Sequence, residues 1–153
     1  MHQFVHDRRP FAKFGLILSI VLLVGFMAPK HADATTSVEK VMVSLINKSR
    51  HSHGRAYLSL NDGLSNYARK HSATMAAKSR LYHNPYLATW LRNWNWNILG
   101  ENVGVGPTIT VLHTAFWNSP RHRANILDRR FRNVGVGVVS SRGRLWVTVI
   151  FRG

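Results

Sequence analysis

Apolar residues recur at helical spacing in two segments beyond residue 35 of this chain. In the first, Thr36 and Glu39 form a capping-box pair, in which a hydroxyl caps the first helical turn and a glutamate three residues later bonds back. The helix is expected to end within residues 51–54, where Gly54 suits the C-terminal cap. The apolar stripe predicted for this helix consists of Val38, Val41, Met42, Leu45 and Ile46.

A second helix is predicted to start near Asn61 and Asp62, because an amide and an acid suit a helix N-terminus. It is expected to end around Ser79 and Arg80, before a turn that leads to Pro85. The periodicity places His71 on the packed face, as a half-buried packing residue rather than a ligand. The positions that share this face are Leu64, Tyr67, Ala68, His71, Met75 and Ala76.

Two shorter helices are predicted in the second half of the chain. Pro107 and Thr108 open the first of them. Its inward positions are Ile109, Leu112 and Phe116. Ser119 and Pro120 open the second, with serine as the N-cap and proline at the first helical position, where its missing N–H costs nothing. The residues expected to anchor this last helix to the core are Ala124, Ile126 and Leu127.

The C-terminal end of the chain has the pattern of a β-hairpin. Residues 133–139 alternate valine with smaller residues, residues 140–144 form a turn, and residues 145–151 are strongly apolar. A further short strand is predicted within residues 56–60. Strands this apolar must be covered on both faces, so the helices are expected to pack on both sides of one sheet. The sequence therefore predicts an α/β domain.

The first 34 residues have the features of an export signal. Arg8, Arg9 and Lys13 precede an apolar run over residues 14–28, and small residues at positions 32 and 34 suit signal peptidase. We predict cleavage after Ala34, which leaves a secreted or periplasmic domain of residues 35–153. An uncleaved anchor is the less favoured alternative, because the apolar run is shorter than the ~20 residues of a membrane span. Residues 7–13 also resemble the twin-arginine export motif.

Charge and composition restrict the partners. The chain has 21 Lys and Arg against six Asp and Glu, and residues 35–153 retain 17 basic and four acidic residues. So high a positive charge usually indicates a protein that binds nucleic acid. Export favours an anionic envelope polymer or lipid as the partner instead, so no nucleic-acid partner is expected. A solvated basic surface without a particular partner is an equal alternative. With no cysteine and about 120 residues, a single domain without disulfides is expected.

Two aromatic or histidine-rich stretches invite functional interpretations. Trp90, Trp94 and Trp96 would suit a stacking or membrane-interface platform, although packing over a small core is the favoured interpretation because Trp is mostly buried. His51 and His53 form a weak metal pattern that is more typical of an exposed polar loop.

Three residues far apart in the chain have the chemistry of a metal site. His83, Glu101 and His122 supply two imidazoles and a carboxylate, the ligands of an open zinc-like site whose remaining position is left to water. Glu101 lies among glycines in residues 100–106, where one of few acids is retained. From the residues alone, separate structural roles are favoured: a carboxylate that bonds loop amides and a histidine in a helical turn.

Two other patterns are rejected on their context. The glycines at 135 and 137 lie within a predicted strand followed by a hairpin, so they lack the helix that would bind a nucleotide phosphate. Ser119 and His122 could form a nucleophile and base. However, Ser119 is accounted for as an N-cap, and no acid follows to orient the histidine.

Four motifs taken together resemble the bacterial branch of the CAP superfamily, which includes cysteine-rich secretory proteins, antigen 5 and pathogenesis-related 1. The resemblance covers about residues 38–151. The motifs are Leu64…Ala68…Met75-Ala76…His83, Gly100-Glu101-Asn102-Val103, residues 117–127 (WNSPRHRANIL) and residues 134–138 (VGVGV).

This resemblance implies a three-layer α-β-α sandwich of CAP type with a C-terminal antiparallel hairpin. It also implies a central cleft in which His83, Glu101 and His122 bind a divalent cation such as Zn²⁺, as some members do. The sequence departs from the animal and plant pattern at two places. Pro120 stands where those members have a second glutamate, and residues 146–151 (WVTVIF) lack the histidine of their His-x-Thr-Gln strand.

Three functions remain open from the sequence. The preferred one is a secreted, non-enzymatic CAP domain that binds a ligand or partner in the envelope or outside the cell. The second is a metal-assisted hydrolase, directed at protein or peptidoglycan, in which Glu101 activates water. The third is a cationic envelope- or membrane-binding protein in which the basic charge and the tryptophans matter and the cleft does not.

Overall fold

A computed structural model describes residues 36–153, so the predicted export signal and the cleavage after Ala34 lie outside the described residues. The described chain forms five helices and four strands. In chain order they are α1 (Ser37–His51), β1 (Ser59–Leu60), α2 (Asp62–Lys78), α3 (Leu87–Trp90), β2 (Leu99–Gly106), α4 (Ile109–Asn118), α5 (Pro120–Leu127), β3 (Asn133–Ser141) and β4 (Arg144–Arg152).

The strands form one sheet in the order β1-β3-β4-β2. The predicted hairpin is confirmed: β3 and β4 pair antiparallel, and Arg142 and Gly143 form the turn with positive φ angles of 51° and 71°. The predicted short strand is also present, as β1, which pairs parallel with β3. Strand β2 was not predicted, and it pairs antiparallel with β4 so that Glu101 lies opposite Ile150.

Helices cover both faces of this sheet, which confirms the three-layer α-β-α sandwich. On one face, β3 presents Gly135 and Gly137, and a methyl group at either position would collide with the backbone of α2. On the other face, Val134 and Val136 are fully buried in a core shared with α1, α4 and α5. Two smaller apolar clusters complete the contact between α2 and the sheet.

The capping box that starts α1 is confirmed, but the predicted stripe of this helix is partly wrong. Val38 and Val41 are 43% and 49% exposed, whereas Glu39 is fully buried. The Glu39 carboxylate accepts hydrogen bonds from the backbone N–H of Thr36 and of Val138 and from Arg69 Nε. These bonds direct Glu39 toward the sheet and rotate the helix away from the orientation that apolar spacing alone predicts. The buried positions are Glu39, Met42, Val43, Ile46 and Arg50.

The predicted anchoring of α5 is also partly wrong. Ile126 is buried, but Ala124 is exposed and Ser119 makes no side-chain capping bond. Ser119 ends α4 and starts α5 at the same position, and its carbonyl accepts the N–H of Arg123. Leu127 is partly buried against the same core, as predicted, so Ile126 and Leu127 anchor this helix of eight residues and Ala124 does not.

Two of the three tryptophans pack over the core as expected, whereas Trp90 lies beside Tyr67 with Lys70 over its ring. Trp94 and Trp96 are half-buried against the cluster of Leu64, Leu91 and Ile150. Trp96 Nε1 donates a hydrogen bond to the carbonyl of Leu91 at 2.9 Å. None of the helices formed by residues 36–153 is both long and apolar enough to cross a membrane.

Candidate functional site

Three different elements bring the candidate metal-site residues to the wall of one cavity. His83 lies in the loop between α2 and α3, Glu101 lies in β2, and His122 lies in the first turn of α5. The cavity has a volume of about 570 Å³. Its walls are formed by His83, Glu101, Ser119, Arg121, His122, Ala124 and Asn125, and we call it the cleft.

Glu101 is the buried acid of the cleft. Its side chain is 6% exposed, and Oε1 lies 2.8 Å from His83 Nδ1 and accepts the backbone N–H of Asn84 at 2.9 Å. The other oxygen, Oε2, is buried and has no hydrogen-bond partner. An ionised carboxylate only accepts hydrogen bonds, so the shared proton lies on His83 Nδ1 and the Nε2 atom of a neutral His83 keeps its lone pair.

His122 lies beside this pair, and no hydrogen bond of the described residues joins its ring to either partner. Its ring centroid is 6.5 Å from that of His83, and its ring packs edge-on against Phe116 at 5.1 Å. Burial, and after it the charge of His83, lowers the pKa of His122. The imidazole is therefore neutral near neutral pH, which is the state that binds a metal ion.

Two asparagines fix β2 and α5 together behind the cleft. Asn102 is fully buried and donates to the carbonyl of His122 at 3.1 Å. Asn125 donates to the carbonyl of Glu101 at 3.1 Å and to Asn102 Oδ1 at 2.9 Å. Sequence reasoning did not assign these positioning residues, although both belong to the quoted motifs. For Asn125 the available signal was a polar residue between Ala124 and Ile126, and for Asn102 it was a second polar residue beside Glu101 in a segment of glycines and valines.

The donor types of the cleft suit a divalent cation, but the side chains do not enclose one as they stand. Among residues 36–153, no group of three His, Asp, Glu or Cys is arranged to hold a metal ion. Two imidazoles that share one zinc have ring centroids roughly 5–6 Å apart, given Zn–N bonds of about 2.1 Å. The 6.5 Å separation of His83 and His122 is slightly too long. His83 is 63% exposed, so its side chain is the one with room to move.

The other proposed chemical groups have different surroundings. His51 stacks on Tyr57, and His53 packs against Trp117, which accounts for both histidines as surface packing residues. Ser119 lines the cleft, but no hydrogen bond among the described residues joins its hydroxyl to His122. The geometry of a serine nucleophile with its base is therefore not formed there.

Comparisons with known proteins agree with this architecture. The model of the CAP family, the cysteine-rich secretory protein family, matches residues 43–151. The uncharacterized protein YkwD of Bacillus subtilis is 32% identical over 121 residues, which cover 74% of this chain. The chain spans about half of that relative, 47% of its length.

Solved structures share the fold. An outer surface protein of Borrelia burgdorferi superposes with a TM-score of 0.70 at 17% identity, over 78% of this chain and 94% of its own. An extracellular SCP-domain protein from Bacillus anthracis gives 0.67 at 24% identity, over 74% and 39% of the two chains. A cysteine-rich secretory protein from Staphylococcus aureus gives 0.63 at 21% identity, over 74% and 37%. These structures show the fold, and the match of the CAP family model to residues 43–151 establishes that the chain belongs to the CAP family.

Proposed function

We propose that this CAP domain is exported and binds a ligand outside the cytoplasm through the cleft, without catalysing a reaction. Two features of the protein and its relatives support export. The first 34 residues have the pattern of a signal peptide. The structural relatives from Borrelia, Bacillus and Staphylococcus are described as outer surface, extracellular and secretory proteins.

The observation that carries the binding proposal is the unpartnered Oε2 atom of Glu101. A buried acceptor without a hydrogen bond costs about 1–3 kcal/mol, so such atoms are rare unless something else satisfies them. This atom belongs to a wall residue of a cavity large enough for a small ligand. A cation or a hydrogen-bond donor bound in the cleft would satisfy it.

A divalent cation such as Zn²⁺ is our proposed occupant of the cleft floor. His83, Glu101 and His122 supply two imidazoles and a carboxylate, and His122 is neutral and ready to donate a lone pair. When bound, the cation would offer a positive centre to an anionic or carbonyl group of a further ligand. A cation on Nε2 of His83 would lie across that ring from Glu101. For both residues to bind one ion, the exposed His83 side chain would therefore have to turn away from Glu101 Oε1.

Calorimetric titration with Zn²⁺ tests this proposal. We expect one site per chain, and His122→Ala should weaken its affinity at least tenfold. His51→Ala is the matched control, because His51 is exposed and remote from the cleft, and it should bind Zn²⁺ like the unaltered protein. Equal heats from His122→Ala and the unaltered protein would remove His122 from the site.

An activity measurement tests the non-catalytic part of the proposal. We expect no turnover of peptides or peptidoglycan with Zn²⁺ present. Turnover that a chelator abolishes, and that Glu101→Gln also abolishes, would contradict the proposal and establish a metal-assisted hydrolase instead.

A further inference from the structure

A second cavity, remote from the chemistry of the cleft, is lined by four arginines. It has a volume of about 520 Å³ and lies where the end of α1 and the loop after it meet the loop between α5 and β3. Its charged wall residues are Arg50, Arg55, Arg129 and Arg132, and we call it the arginine pocket.

The pocket arginines lack a carboxylate partner in direct contact within the part of the chain that the structure describes. Among the ion pairs of the described residues, none involves any of the four arginines. Asp128 is the acid whose charge reaches Arg50, but its carboxylate is bound by Arg130 through bonds of 2.6–3.2 Å. Four positive groups therefore share one cavity, and Asp128 offsets only part of the charge of Arg50.

Three of the arginines donate to backbone carbonyls, and the bonds of Arg132 stay within its own loop, at Arg129 and Phe131. Arg50, which is 1% exposed, donates from Nε to Ala56 at 2.7 Å and from Nη1 to Ile126 and Asp128 at 2.7 and 2.9 Å. Arg55 donates from Nε to Leu127 at 2.9 Å. A guanidinium has five N–H donors, so Nη2 of Arg50 and both terminal nitrogens of Arg55 retain donors after these bonds.

A purely structural role explains only part of this arrangement. The bonds from Arg50 and Arg55 attach the α1–β1 loop to the end of α5, and for that purpose two cations suffice. Arg129 contributes a third charge although its exposed side chain makes no hydrogen bond in the described structure. Arg132, also exposed, contributes a fourth, and its Nη1 donates only to carbonyls of its own loop. Burial, followed by the charge of Arg55, lowers the pKa of Arg50, and the charge of Asp128 opposes this effect.

We propose that the arginine pocket is an anion site that binds a phosphoryl group. Guanidinium forks match the oxygens of phosphate, and charge-assisted bonds of this kind are about twice as strong as neutral ones. Four arginines carry more positive charge than a single carboxylate ligand would balance, which favours a phosphoryl group. The volume of the pocket accommodates a pyrophosphate or a phosphodiester. A soluble phosphate polymer and a lipid head group both carry this chemistry.

Titration of the full chain with inorganic pyrophosphate, followed by calorimetry, tests the proposal. The pocket variant is Arg55→Gln with Arg129→Gln, which leaves the buried Arg50 in place. The matched control is Arg142→Gln with Arg144→Gln, which removes the same charge from the exposed β3–β4 turn. We expect the pocket variant to lose at least tenfold in affinity and the control to lose less than twofold.

The two variants distinguish binding in the arginine pocket from a general attraction of pyrophosphate to a positively charged protein. Equal losses in both variants, or no binding by the unaltered chain, would overturn the proposal. His122→Ala should leave pyrophosphate affinity unchanged, so a failure of the cleft proposal does not affect this result. Vesicles of phosphatidylcholine with phosphatidylglycerol distinguish the sources: displacement of pyrophosphate by these vesicles identifies a lipid head group, and retained binding identifies a soluble phosphate.

Discussion

Two buried glutamates show how the partners of a residue separate structure from function. Glu39 is fully buried, and both of its carboxylate oxygens accept hydrogen bonds, from two backbone N–H groups and from Arg69. Glu101 is nearly as buried, yet one oxygen has two donors and the other has none. Because both of its oxygens accept hydrogen bonds, Glu39 is accounted for as a structural residue. The unpaired oxygen of Glu101 can still accept a bond from a ligand.

At the same scale, His113 makes stability depend on pH. It lies in α4 with Nε2 at 3.2 Å from Ser49 Oγ of α1, and burial lowers its pKa. The unfolded chain takes up this proton near pH 6.5, whereas the folded chain does so only at lower pH. We therefore expect the contribution of His113 to the free energy of unfolding to be fully present above pH 6.5. It should be lost as the pH falls from there toward the lowered pKa of the folded protein.

Urea denaturation at several pH values between 5 and 8 measures this effect. His113→Gln should lose less stability on acidification than the unaltered protein, because it has no proton to take up. His51→Gln, at an exposed position, should retain a loss close to that of the unaltered protein. A His113→Gln protein with an unchanged pH dependence would refute the assignment.

At the scale of elements, the close approach of α2 to β3 depends on two glycines. A Cβ at Gly137 would collide with the backbone of Ala68 and Arg69, and backbone atoms cannot move aside as a flexible side chain can. Gly137→Ala should therefore lower the free energy of unfolding by about 2–3 kcal/mol, the cost of overpacking a core. Ser140→Ala, at an exposed position of the same strand, is the control and should change it by less than about 0.5 kcal/mol. A Gly137→Ala protein as stable as this control would show that α2 is not fixed there.

How far the elements could be predicted depended on where their determinants lie. The caps at Thr36 and Asn61 and the turn near Gly143 are local, and the structure confirms the elements that they start or join. Strand β2 was not predicted, because its glycines and its acid have low strand propensity and its pairing with β4 is a tertiary contact. The orientation of α1 depends on the hydrogen bond that the backbone N–H of Val138, 99 residues away, donates to Glu39.

At the scale of the whole molecule, the cleft is made by parts that are distant in the chain. Spacing alone favoured separate roles for His83, Glu101 and His122, and only the family resemblance placed them together. The geometry adds what neither could supply: the bond from His83 to Glu101, the gap to His122, and the two asparagines behind them. Likewise, the high positive charge was visible in the composition, but its concentration in the arginine pocket required the folded loops.

The most direct measurement of the central claim is an NMR titration with Zn²⁺ that observes the imidazole nitrogens of the unaltered protein. If the cleft is one site, the signals of His83 and His122 shift together, with a single dissociation constant and one ion per chain. The exposed His51 and His53 should respond later or not at all. Shifts of His83 and His122 at different Zn²⁺ concentrations, or of only one of them, would contradict the account.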